Sequence, residues 1–110
     1  MAIQTLDTMP SFSSTGADKS LVAMFARARA ELLRSLDIAN RDATADEQDL
    51  LTAYGIGICY ASAVTDKDAH HQIVVSMEFL ELYSEGVAPI EYLDAAVAAG
   101  ISAAEQLHLP

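Results

Sequence analysis

Between Asp49 and Asp66 the chain runs for 16 residues, Leu50 to Thr65, without a charge. Nothing else in the sequence restricts the fold so much. The run is shorter than the roughly 20 apolar residues that cross a bilayer, and it carries Thr52, Tyr54 and two glycines. It must therefore be enclosed by the rest of the chain. Leu50, Leu51, Tyr54, Ile58 and Ala61 recur at helical spacing, and the stretch from 50 to 64 is apolar nearly all round. That pattern predicts the central helix of a bundle. Gly55 and Gly57 each weaken a helix by about 1 kcal/mol relative to alanine. Two of them imply close approach of another backbone, or a kink beside a small pocket.

The flanking segments carry helix punctuation. Thr44 and Glu47 form a capping box, with Asp46 and Asp49 at the positive end of the helix dipole. A first helix is predicted from near Asp18, with Thr15 three residues ahead, to about Asn40. Its core stripe is Leu21, Phe25, Ala28, Leu32 and Leu36, widened by Val22, Met24 and Leu33. Thr65 with Asp68 starts a third helix, which Gly86 stops. Its expected core line is Ile73, Met77 and Leu80, flanked by Val74, Val75, Phe79 and Leu82. Pro89 suits the first position of a fourth helix. Gly100 ends or interrupts that helix, and Ser102 with Glu105 caps a short fifth one to about His108. The expectation is an all-α compact bundle of four to five helices, one domain over residues 18–110, behind a polar N-terminal arm over 1–17. Ile3, Leu6, Met9 and Phe12 recur every third residue along that arm.

Residues 53–86 resemble part of a tetratricopeptide helical hairpin: Gly57, Tyr60 and Ala69 stand at the spacing of its small and aromatic positions. Ala53 replaces the large aromatic, Ser76 a small apolar residue and Glu81 the proline, and no second copy follows. The resemblance implies a helical hairpin there and nothing about function. No family is recognised.

Charge is distributed unevenly. The net charge is −10, yet residues 1–41 hold five of the six basic residues, and residues 42–110 hold twelve acids against Lys67 alone. Such a field repels nucleic acid and anionic lipid and attracts basic proteins. Neither nucleic acid nor a membrane is expected as a partner. Cys59 is the single cysteine, so no internal disulfide is possible, and a cytoplasmic location is expected.

Chemistry-bearing clusters are sparse. Asp66 and His70, four apart, share one helical face and are the best metal candidates, but His71 faces elsewhere and no cofactor is expected. Glu105 and His108 make one Glu-x-x-His where a di-iron bundle needs two. No base lies near Cys59 in sequence, and no glycine-rich phosphate loop follows a strand. Arg27, Arg34 and Arg41, seven apart, share an edge of the first helix. They form either a solvated salt-bridge face, with Glu31 and Asp37, or a homodimer edge. These features favour a non-enzymatic protein–protein interaction module: an inhibitor or immunity-type protein, a secretion chaperone or an adaptor. Its acids Glu78, Glu81 and Glu85, with Asp42, Asp46, Glu47 and Asp49, would meet a basic protein partner. The alternative is a small-ligand- or metal-binding domain, with its pocket beside Gly55 and Gly57.

Overall fold

The computed structural model describes residues 20–108. The arm over 1–17, and with it Thr15 and Asp18, lies outside the described residues. Four helices follow one another: α1 (Leu21–Ala39), α2 (Ala45–Tyr60), α3 (Asp66–Ser84) and α4 (Ile90–Leu107). The linkers are short, so consecutive helices run antiparallel. α2 and α3 each touch all three other helices. This pairing places α1 beside α3 in one layer and α2 beside α4 in the other.

Each terminus has a local cause. Ser20 caps α1, its side chain accepting from the Ala23 N–H at 2.9 Å, so the helix starts after the expected Asp18. α1 ends in a Schellman motif: Asn40 adopts the left-handed conformation (φ 53°), its N–H donating to Asp37 O and that of Arg41 to Leu36 O. α3 ends the same way. Gly86 has φ +77°, and its N–H and that of Val87 reach Tyr83 O and Leu82 O. The Thr44–Glu47 capping box is present in both directions. α2 stops at Tyr60, short of residue 64, because Gln72 caps it from α3, its Nε2 donating to Ile58 O at 3.1 Å and Ala61 O at 2.7 Å.

Two expectations about α4 are corrected. Pro89 is the residue before the helix rather than its first, and the fifth helix is the last two turns of α4. Gly100 faces open space with nothing within 4 Å of a built Cβ, so the helix runs through it. Ser102 accepts from the Ala63 N–H at 3.0 Å across the bundle instead of capping a helix.

The core joins Val22 of α1, Ile58 and Cys59 of α2, Val75 and Phe79 of α3, and Ala95, Ala96 and Ala99 of α4. Alanines on α4 let α3 approach closely, and α3–α4 is the most extensive helix pair. The expected core line of α3 shifts around the helix, while that of α1 holds at Phe25 and Leu36 and fails at its margin. On α1, Val22 and Leu36 are buried while Leu21, Met24 and Leu33 are exposed. On α3 the buried face is Asp68, Ala69, Gln72, Val75, Ser76 and Phe79, whereas Met77 is 63% exposed and Leu80 43%. Three polar residues on that face make it look like the solvent side in a hydropathy pattern. Of the hairpin-like positions, Ala69 is buried and Tyr60 is exposed, while Gly57 meets α1.

The two glycines of α2 are seats for aromatic rings. A Cβ on Gly55 would lie 2.8 Å from Phe79 Cζ, and one on Gly57 2.8 Å from the Phe25 ring. Side chains, not a second backbone or a pocket, occupy that space.

Candidate functional site

Up-and-down order gathers charge that the sequence keeps apart. The end of α1, the start of α2, the end of α3 and the start of α4 meet at one end of the bundle. Ten of the 16 acids lie in 37–49 and 78–94, with Arg41 as the one cation among those residues.

These acids divide into engaged and exposed groups. Glu47 takes a two-pronged bond from Arg41, Nη1 to Oε1 at 2.8 Å and Nη2 to Oε2 at 2.9 Å, while Oε1 also accepts the Thr44 N–H. Those bonds from Arg41 and Thr44 hold the Glu47 carboxyl at about 2. The capping box therefore has its full carboxylate contribution above the ordinary value of 4.5, and loses it progressively as pH falls from there through about 2. Glu78 accepts from Arg29 Nη2 at 2.7 Å. Asp42, Asp46, Asp49, Glu81 and Glu85 are exposed. Of the seven predicted partner-binding acids, Glu78 thus ties α3 to α1, Glu47 is engaged within the cap of α2, and five face solvent.

The arginine edge of α1 is not continuous. Arg41 lies beyond the helix and bonds Glu47, not Asp37. Arg27 and Arg34 remain on α1 and are exposed.

The metal candidates are not brought together with further ligands. Asp66 accepts from Gln106 Nε2 at 3.3 Å, His70 is exposed, and among the described residues no three of His, Cys, Asp and Glu form a cluster. His71 is half-buried, and its pKa is lowered by burial and by the nearby Lys67 and His70. His108 ends α4 in a left-handed conformation, off the helix that carries Glu105.

Cys59 is 1% exposed, and burial pushes its thiol up to about 11. A thiol protonated at ordinary pH and shut away from solvent is inert. In the native chain, iodoacetamide labelling at mildly alkaline pH is expected to be negligible, and stoichiometric once denaturant unfolds it. Labelling of the native chain at the rate of a free thiol would contradict this burial.

One polar site was invisible as such in the sequence. Asp68 is 1% exposed; its Oδ1 accepts from Ser20 Oγ at 2.9 Å and its Oδ2 from the Val64 N–H at 2.9 Å. A capping residue by spacing thus also ties α1 to the α2–α3 linker. Asp68, Gln72, Ser76 and Phe79 follow one helical line, and that spacing was the available signal.

Among the described residues, a cavity of about 330 Å³ lies at the end of α1 by Leu36, Asn40 and Asp42, and further openings lie elsewhere. A cavity of about 450 Å³ is lined by Tyr60, Ser62, Ile101 and Glu105 between the end of α2 and α4. A groove runs between α1 and α3, with cavities of about 270 and 300 Å³. No helix among the described residues is long and apolar enough to cross a membrane.

Comparison with models of protein families, with curated proteins and with solved structures finds no match to this chain. The class defined so far is the fold alone: an all-α four-helix bundle.

Proposed function

We propose that this bundle is a non-enzymatic protein-binding module that presents its acidic end to a basic protein and acts by covering it. An inhibitor or immunity-type protein, a secretion chaperone and an adaptor all work in this way. The carrying observation is the concentration of acids at one end, with Asp42, Asp46 and Asp49 exposed around the start of α2 and Glu81 and Glu85 near the end of α3. Exposed charges of one sign raise the association rate and the specificity for a basic partner, and salt screens them within about 10 Å at 0.1 M. Internal bonds at Glu47 and Glu78 fix the surface that carries them.

Capture of the tagged chain from its native lysate at low salt tests this reading. One stoichiometric basic protein should co-elute and be released by moderate salt. The triple substitution Asp42→Asn, Asp46→Asn, Asp49→Asn should lose it while keeping the helical circular dichroism of the parent. Equal capture by the triple variant, or a chain recovered alone, overturns the acidic-end reading.

A further inference from the structure

α1 and α3 run parallel from a common end, where Ser20 Oγ donates to Asp68 Oδ1. Their facing sides leave the groove whose two cavities share Ala26, Ala30 and His71 as walls, so they form one channel. Along α3 the lip of this channel follows alternating steps of four and three residues: Lys67, His71, Val74, Glu78, Glu81 and Glu85. Such steps keep all six on one side of a helix. On α1 the matching line is Ala23, Ala26, Ala30, Leu33 and Asp37.

The face is polarised along its length. Where the helices begin it carries Lys67, with Arg27 across the groove. In the middle it exposes Leu33 (44%), Val74 (40%) and Met77 (63%), with His71 and the Arg29–Glu78 ion pair beside them. Where the helices end it carries Asp37, Glu81 and Glu85, all exposed. A uniformly basic partner would suit one end and be repelled by the other. A surface that is basic, then apolar, then acidic is complementary to itself when turned end for end about a twofold axis. The register is symmetric as well: Lys67 and Glu81 each stand seven residues from Val74, about 10 Å along the helix in opposite directions.

We propose that the α1–α3 face is the interface of a homodimer, with a twofold axis near Val74. Lys67 of each copy meets Glu81 of the other, and Leu33, Val74 and Met77 cover one another between them. The apolar centre with a charged rim is the ordinary anatomy of such an interface. Glu81 belongs to both readings, whereas Asp42, Asp46 and Asp49 lie on the linker and α2, outside the groove, so their substitution tests the acidic end without touching the dimer.

Analytical ultracentrifugation of the full chain over a range of concentrations tests it. The expected species has twice the 11.7 kDa chain mass and dissociates on dilution. Val74→Glu should be monomeric with the parent's helical circular dichroism and the melt of the parent diluted to monomer, because Val74 is already partly exposed. Lys67→Glu and Glu81→Lys each set two like-charge contacts in the dimer and should weaken it about tenfold. Neither harms the fold: glutamate suits the first turn of α3 and lysine its last. The double variant Lys67→Glu, Glu81→Lys should return the dimer to parental affinity. A parent chain monomeric throughout leaves the groove to a different protein and overturns the proposal. So does a dimer indifferent to Val74→Glu, or a double variant no better than the singles.

Discussion

Phe79→Ala is expected to lower the free energy of unfolding by about 3–5 kcal/mol, measured by denaturant titration. Phe79 is 4% exposed and lies at the junction of three helices. Its ring stands 4.6 Å from the Tyr92 ring of α4, centroid to centroid, and its Cζ fills the place of the missing side chain on Gly55 of α2. Removing the ring leaves a cavity that a glycine cannot help to fill. The total stability of such a domain is about 5–15 kcal/mol, so this loss is a large share of it.

The same contact sets a sign reversal. Gly55→Ala in the parent gains about 1 kcal/mol of helix propensity but places a Cβ 2.8 Å from Phe79 Cζ, and overpacking of a tight core costs about 1–3 kcal/mol. The net is destabilising, because the ring is enclosed and has nowhere to retreat. In the Phe79→Ala background the clash is absent and the same substitution should stabilise. If Gly55→Ala stabilised both backgrounds equally, the glycine would not be a seat for the ring.

Asp68→Ala is expected to cost about 3 kcal/mol. The carboxylate serves two donors from other elements, Ser20 Oγ and the Val64 N–H, both at 2.9 Å. Alanine leaves both without this partner inside the protein, and an unsatisfied buried donor costs about 1–3 kcal/mol. The Asp68 N–H keeps its bond to Thr65 Oγ1, so the start of α3 itself survives. Asp68→Asn keeps the shape and one acceptor oxygen, and is expected to cost about half as much. Hydrogen exchange supplies the local readout: protection should fall at Val64 and at the first turn of α1 before it falls at Ile58. Equal losses for alanine and asparagine, or a loss below about 1 kcal/mol for alanine, would sink the two-donor account.

These two residues also show how legibility divides. At Gly55 the sequence implies a second backbone or a small pocket, and the structure puts the Phe79 ring there instead. What approaches, a ring 24 positions away in the chain, carries no local mark. By spacing Asp68 is the capping partner of Thr65, and its N–H does donate to Thr65 Oγ1. Its burial follows from the arrival of Ser20 from 48 residues upstream. The acids at the bundle end follow the same division: their number is countable in the sequence, but the bonds that engage Glu78 and Glu47 depend on which arginine comes near.

The helices and most of their ends follow from local sequence. Thr44 with Glu47, Thr65 with Asp68, Asn40 and Gly86 act through bonds within a few residues, so a local reading finds them. Which side of each helix is buried depends on the packing of the four helices against one another. α3 turns Asp68 and Gln72 inward and Met77 outward because the start of α1 and the end of α2 offer hydrogen-bonding groups there, and the buried Ser76 hydroxyl is satisfied by Ile73 O of its own helix. The packing also decides that Gly100 stays inside α4, since no neighbour crowds that face and Ser102 is taken by the Ala63 N–H. A helix is closed by bonds to its own chain, whereas the orientation of its faces is set by partners that the fold must first bring together.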